Sequence, residues 1–199
     1  GRMTRRAHGE QVTVLDEFVR AAIMLEYAVT SAGDRFGLVT FSHRLHHFAK
    51  ATSGRAHDAL FRRALYPLQP QMVAPAFDEV CATLRTRIRR RSLLLVMTNL
   101  SEPQLADSFS AASRLLAKQH LVVVACPTDQ RTRPRFSHAD LEDNDMLYAE
   151  LAGHMLWRRL MEVRAKLAQA GIRMSTVAPQ QLGHIATSAY LDIKEQQLL

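Results

Sequence analysis

Three histidines stand close together at positions 43, 46 and 47. Imidazole nitrogens bind zinc, but a zinc site takes three or four protein ligands, and this stretch offers no obvious further one. On a strand, His43 and His47 would share one face and His46 would lie on the other. We therefore expect exposed histidines on an edge strand and no metal site.

The densest charge in the chain is a run of arginines: Arg85, Arg87, Arg89, Arg90 and Arg91. Guanidinium groups in this number favour an acidic protein partner or another anion. The alternative is the C-terminus of a helix, where cations complement the helix dipole, and the two interpretations are compatible. Aromatic residues do not interleave with these arginines, so we expect no nucleic-acid partner.

The two cysteines, Cys81 and Cys126, are far apart and form no CxxC motif. This spacing argues against a zinc knuckle and a disulfide scaffold, and it suits a reducing compartment. Cys126 ends an apolar run, where a lone cysteine more often packs in a core than acts as a nucleophile.

An acidic segment holds Asp140, Glu142, Asp143 and Asp145. A calcium loop would need alternating ligands around a central glycine, and that pattern is absent. Helix capping explains the acids better, with Asp145 as the N-cap residue. The sequence has no GxSxG elbow and no glycine-rich phosphate loop, so we expect no catalytic residue and no cofactor.

Composition indicates one folded domain over residues 1–199: 47% of residues are apolar and 23% are charged. The formal net charge of +7 lies in residues 1–100, which carry 15 lysines and arginines against eight acids. No apolar run reaches the length of a transmembrane helix, and no secretory signal is present.

Hydrophobic spacing predicts alternating helices and strands. The predicted helices cover residues 15–29 (ended by Gly33), 55–65, 76–89, 104–118, 145–170 and 180–198. The predicted strands cover 36–41, 45–49, 92–98, 120–126 and 172–177. This order predicts an α/β fold: a doubly wound, mostly parallel sheet with one antiparallel edge strand. Ligands of such sheets gather at the carboxyl ends of strands, which here are Ser42, Thr98–Ser101 and Pro127–Asp129.

Four segments in order resemble motifs of the bacterial domain-of-unknown-function 58 family. They are Gly33–Phe41 (like GDRVGLVAF), Arg91–Leu100 (like RRSLVVLLTDL), Lys118–Val124 (like RRHLVLVV) and Tyr190–Lys194 (like YLxLK). The resemblance implies a von Willebrand factor A-like, Rossmann-like domain and a MoxR-type AAA+ ATPase as partner. Many members of the family carry transmembrane helices upstream of this region, so the full-length protein would be anchored there.

Von Willebrand factor A domains commonly hold Mg²⁺ with an Asp-x-Ser-x-Ser motif, a threonine on a second loop and a later aspartate. This sequence departs from that pattern, because Asn99 stands at the place of the last acid, between Thr98 and Ser101. Pro75–Asp78 carries no hydroxyl at the place of the second loop. We therefore expect Thr98, Asn99 and Ser101 to form a degenerate site without metal.

The resemblance places Gly1–Met3 just after the first strand of that fold, which would leave the strand outside this chain. That strand is normally central, so the strands at 36–41 and 92–98 would lack a shared neighbour. We expect a fragment of a longer protein that lacks its first strand.

These observations predict a non-catalytic protein–protein interaction module, an adaptor for a MoxR-type AAA+ ATPase in complex assembly or maturation. The expected contacts are Ser42, His43, Arg44 and the arginine run, with the loops Thr98–Glu102 and Pro127–Arg135. The alternative is a metal-assisted hydrolase on the same scaffold. We expect a cytoplasmic domain, at the inner face of the membrane where upstream helices exist.

Overall fold

A computed structural model describes residues 12–53, 61–71, 73–129, 132, 134 and 144–197. The helices are α1 (Val14–Ser31), α2 (61–65), α3 (Phe77–Arg87), α4 (Pro103–Ala117), α5 (Asn144–Gln169) and α6 (Leu182–Glu195). The strands are β1 (Phe36–Phe41), β2 (Leu45–Thr52), β3 (Leu93–Met97), β4 (Leu121–Pro127) and β5 (Arg173–Val177). The predicted mixed α/β order is confirmed. No helix in these ranges is long and apolar enough to cross a membrane.

The described strands form two sheets. β1 and β2 are an antiparallel pair, as predicted, joined by the tight turn that starts at Ser42. β3, β4 and β5 form a parallel sheet in that order. Within the described residues, β1 does not pair with β3, so the edge of each strand that faces away from its partner is open.

Both sheets nevertheless lie between the same two layers of helices. One core, on the α1 side, takes Phe36 and Leu38 from β1 and Leu93 and Leu95 from β3. The other core, on the α3 side, takes the alternate residues of these strands, Val39, Phe41, Leu94 and Val96. Because side chains alternate along a strand, this sharing means that β1 and β3 belong to one layer.

Burial differs sharply between neighbouring strands of the parallel sheet. In β4, every residue from Val122 to Cys126 is 5% exposed or less. In β3 all five residues are apolar, yet each is only half-buried. A parallel strand with a neighbour on each edge and helices on both faces is normally fully buried. Among the described strands β3 has a neighbour on one edge only, which agrees with its half-burial.

Asp34, in the turn between α1 and β1, fixes α6 to that turn. The Tyr190 hydroxyl donates to Asp34 Oδ2 at 2.6 Å, and Lys194 Nζ donates to the same oxygen at 2.8 Å. Hydrogen bonds from Lys194 and Tyr190 lower the pKa of the Asp34 carboxyl. The neighbouring Gly33 has a φ of +79°, so α1 ends at a left-handed glycine as predicted.

The predicted N-cap at Asp145 is wrong. α5 already includes Asn144, which places Asp145 inside the helix. Asp140, Glu142 and Asp143 lie outside the described residues.

His120 is a buried polar residue at the amino end of β4. The residue is only 4% exposed, and neither ring nitrogen has a hydrogen-bond partner in the described structure. Burial lowers the pKa of this imidazole below its usual range, because the charged form would lose its hydration. The folded protein therefore holds His120 neutral where an unfolded chain would protonate it.

We expect the free energy of unfolding to fall as the pH drops below about 6.5, because the unfolded state then binds a proton that folded His120 resists. His120→Leu should flatten this loss, since it removes the titrating group and two unpartnered nitrogens. Urea unfolding at pH 7.5 and 5.5 measures the effect, with exposed His184→Leu as the control. An equal loss of stability in wild type and His120→Leu would contradict this assignment.

Candidate functional site

Ser42, just after β1, is the most connected polar residue at the carboxyl ends of the strands. Its hydroxyl donates to Gln71 Oε1 at 2.8 Å and lies 2.6 Å from His46 Nε2 and 3.1 Å from His43 Nδ1. Its carbonyl accepts from the backbone N–H of Ala76 at 2.8 Å. The hairpin turn is therefore tied to the loop that leads into α3.

Three groups compete for the one proton of the Ser42 hydroxyl. Gln71 Oε1 lies at 2.8 Å as an acceptor, and His46 Nε2 and His43 Nδ1 donate or accept according to their tautomers. A nucleophilic serine needs a base that takes this proton, and Gln71 competes with the two imidazoles for it.

β2 begins at Leu45, as predicted, so His43 lies in the turn and does not share a strand face with His47. Its ring meets that of His46 edge-on, with 5.9 Å between the ring centroids. His47 lies opposite Thr40 in the β1–β2 ladder instead.

The loop after β3 holds the three positions of the expected degenerate metal site. Asn99 Oδ1 accepts hydrogen bonds from the Ser101 backbone N–H at 2.9 Å and from the Ser101 hydroxyl at 2.6 Å. Thr98 and Ser101 are buried, at 2% and 5% exposure, and Asn99 is half-buried. The oxygen that could bind a cation is thus occupied by its own loop, as an Asx-type turn before α4.

Among the residues that the structure describes, no group of three or more His, Cys, Asp or Glu side chains could hold a metal ion. The third loop at this edge, which follows β4, is described only in part. Thr128 N donates to the Val177 carbonyl at 2.8 Å, which ties the loop to β5. Most of the stretch from residue 130 to Arg135 lies outside the described residues.

Both cysteines are free and buried, as expected for core residues. The backbone N–H of Leu100 donates to Cys126 Sγ at 3.4 Å, beneath the loop that holds Asn99. Burial raises the pKa of each thiol to about 11. Since the thiolate is the reactive form, neither Cys81 nor Cys126 is suited to nucleophilic chemistry near neutral pH.

The arginine run divides between a helix and a loop. α3 ends at Arg87, with Ile88 as its C-cap, so only Arg85 and Arg87 lie on the helix. Arg89, Arg90 and Arg91 lie in the connection to β3. Stabilisation of a helix end thus accounts for two of the five arginines and leaves the other three unexplained.

All five arginine side chains are exposed. The Arg87 guanidinium lies over the ring of Phe48, 5.0 Å from its centroid, which holds it against β2. None of the five forms an ion pair with any residue in the described ranges. The surface therefore keeps a concentrated positive charge that no described acid neutralises.

The match of a family model now identifies the chain's relatives. The model for the protein of unknown function DUF58 matches residues 5–169. The chain belongs to the DUF58 family. No curated protein and no solved structure matches it.

This result confirms the predicted family, and three of the four quoted motifs fall within the matched region. Tyr190–Lys194 lies beyond it, yet both of its end residues contact Asp34, inside the first motif. The DUF58 match thus stops short of β5 and α6, which complete the sheet and the α1-side core of this protein.

Gln71 was missed as a member of the Ser42 cluster. It lies in a proline-rich loop far along the chain, and only the fold brings it to Ser42. No spacing pattern in the sequence could have identified it.

The buried thiols give a direct test of this site. Native protein should react with an aromatic disulfide reagent at pH 8 far more slowly than the unfolded chain, because thiols with a pKa of about 11 and no access to solvent are protected. Absorbance of the released thiol measures both rates, and guanidinium-unfolded protein provides the two-thiol endpoint. Rapid labelling of one thiol in the native protein would show that Cys81 or Cys126 is accessible after all.

Proposed function

We propose that this DUF58 protein is a non-catalytic interaction module that works as an adaptor for a MoxR-type AAA+ ATPase. It would act in complex assembly or maturation, in the cytoplasm or at the inner face of the membrane. The observation that carries the proposal is the exposed run Arg85–Arg91, which has no acidic partner in the described structure.

Physical reasoning favours an external partner for these arginines. Five like charges in seven residues repel one another, and the repulsion is relieved when carboxylates approach from outside. Arginine is well suited to this, because its planar guanidinium donates two parallel hydrogen bonds to one carboxylate.

The polar groups at the carboxyl ends of the strands support a non-catalytic role. The Ser42 hydroxyl contacts Gln71 as well as the histidines of its own hairpin. Asn99 directs its side chain to Ser101 in its own loop, and Ser101 is buried. A site that binds substrate or metal would need to break these hydrogen bonds first, at a cost of about 1 kcal/mol for each.

We further propose that β1–β5 belong to one doubly wound, von Willebrand factor A-like sheet with a strand still to be placed between β1 and β3. The shared cores and the half-buried β3 support this proposal.

Hydrogen exchange of this chain tests the open edge. Thr98 N donates to the Ala125 carbonyl, so by alternation the N–H groups of Leu94 and Val96 point to β4 and those of Leu93 and Leu95 point away. We expect the amides of Leu93 and Leu95 to exchange faster than those of Leu94 and Val96, measured by NMR. Uniform protection along β3 would show that residues of this chain already fill the gap.

A pull-down with a MoxR-type ATPase tests the proposed function. Arg89→Glu combined with Arg90→Glu should weaken binding by about tenfold or more, because it replaces two attractive contacts with repulsive ones. The matched control is Arg62→Glu with Arg63→Glu, an exposed pair on α2 that should leave binding within about twofold. If the ATPase does not bind the wild-type protein, the adaptor role is wrong, and if the Arg89/Arg90 variant binds fully, the arginine run has no part in it.

A further inference from the structure

Charge is sorted along the two helices that pack on one face of the parallel sheet, α3 and α4. α3 has Asp78 and Glu79 in its first turn and Arg85 and Arg87 in its last turn. α3 leads directly into the amino end of β3, so its basic end lies at the amino edge of the sheet. Its acidic first turn begins beside Ser42, at the carboxyl edge.

α4 repeats this arrangement next to α3. It returns the chain from the carboxyl end of β3 to the amino end of the parallel strand β4, so its last turn also reaches the amino edge. That turn holds Arg114, and Lys118 is the C-cap. Glu102, at the start of α4, lies at the carboxyl edge.

Two contacts and a shared core bring these basic ends together. The rings of Phe77 and Phe109 pack edge-to-face with 5.1 Å between centroids, and Leu84 and Leu116 share the α3-side core. α3 and α4 therefore run side by side and end at the same level. The Leu121 backbone N–H donates to the Ser92 carbonyl at 3.0 Å, which joins the loop after α3 to the loop after α4.

The resulting set is named the amino-edge basic surface. Its members are Arg85, Arg89, Arg90, Arg91, Arg114 and Lys118, and all six side chains are exposed. Residues 80–128 contain two acids, Glu102 and Asp107. Glu102 is the N-cap residue of α4 and Asp107 lies near the start of that helix, where it pairs with Lys166 at 3.0 Å.

We propose that the amino-edge basic surface, and not the carboxyl edge of the sheet, is where this protein binds a carboxylate-rich polypeptide segment of its partner. This proposal rests on the proposed adaptor function and names the binding surface and the partner's chemistry. Ligands of α/β sheets ordinarily bind at the opposite edge. Here the described part of that edge carries Asp78, Glu79 and Glu102 with a single arginine, Arg44, so it lacks the concentrated positive charge that would attract an acidic segment.

Side-chain chemistry favours an acidic polypeptide over nucleic acid. Single-stranded nucleic acids bind to surfaces where aromatic rings alternate with basic groups, and residues 85–92 and 114–120 contain no aromatic residue other than His120, which is buried. Duplex recognition uses a helix or ribbon that enters a groove, and this surface consists of helix C-termini and short loops. Five of the six basic residues are arginines, whose fork geometry matches a carboxylate.

Fluorescence anisotropy with a labelled 12-residue poly-glutamate peptide tests the proposal on the whole chain. We expect binding that weakens as salt rises from 50 to 300 mM, because these exposed charges are screened. Arg89→Glu combined with Lys118→Glu should weaken binding by about tenfold or more, and the charge-matched Arg62→Glu with Arg63→Glu should change it by less than about twofold. Thermal melts confirm that both double variants are folded, which their exposed positions favour.

Arg89→Lys combined with Arg90→Lys separates geometry from charge. It keeps the net charge, so a loss of about threefold or more would report the bidentate contacts of guanidinium. The proposal would be overturned if the Arg89→Glu, Lys118→Glu variant bound the peptide as tightly as wild type. It would also be overturned if the Arg62→Glu, Arg63→Glu control lost as much peptide affinity as that variant. Tighter, amino-edge-dependent binding to duplex DNA or to phosphatidylserine vesicles would replace the acidic polypeptide with that ligand.

The ATPase pull-down and the peptide assay test the two proposals separately. If the Arg89→Glu, Lys118→Glu variant still binds the ATPase and the wild-type protein does not bind the peptide, the adaptor role stands and this surface has no part in it. Peptide binding that depends on the amino edge, with no ATPase binding, keeps the surface and its acidic partner and removes the ATPase.

Discussion

The fold depends on one strand that is covered on every side. β4 pairs with β3 on one edge and β5 on the other, and its residues from Val122 to Cys126 are nearly inaccessible to solvent. Val122 and Val124 face the α3-side core, while Ala125 packs with Phe18 of α1 and Leu182 of α6. Both layers of helices thus pack against this strand. The helices in turn position the loops and helix ends at the two edges of the sheet.

The strands and helices were accessible to prediction because each is short, strongly patterned and flanked by clear breakers. The five apolar residues of β3 indicated a parallel strand, and Gly33 indicated the end of α1. The ends were harder to place. Arg89–Arg91 lie in a loop although their composition suits a helix end, since Ile88 leaves the helical conformation as the C-cap of α3. The capping box between Thr13 and Asp16 that begins α1 was not anticipated.

The polar clusters were predicted less well, because they depend on contacts that sequence spacing does not encode. The strand start at Leu45 was predicted, but the contacts of His43 with Ser42 and His46 depend on how the turn before that strand folds. Asn99 was singled out from the sequence, but its hydrogen bonds with Ser101 are a property of the local turn. The arginine run was visible in the sequence. That Arg114 and Lys118 lie at the same edge follows only from the side-by-side packing of α3 and α4 in the structure.

The bond network around Asp34 also bears on where this domain ends. The DUF58 match stops at residue 169, within the last turn of α5. Tyr190 and Leu182 lie beyond that point, yet they are 3% and 0% exposed and fill the cores beneath α1. A chain cut at the end of the match would lose one neighbour of β4 and two of the side chains that pack beneath α1. The packing of this protein therefore extends beyond the residues by which its family is recognised.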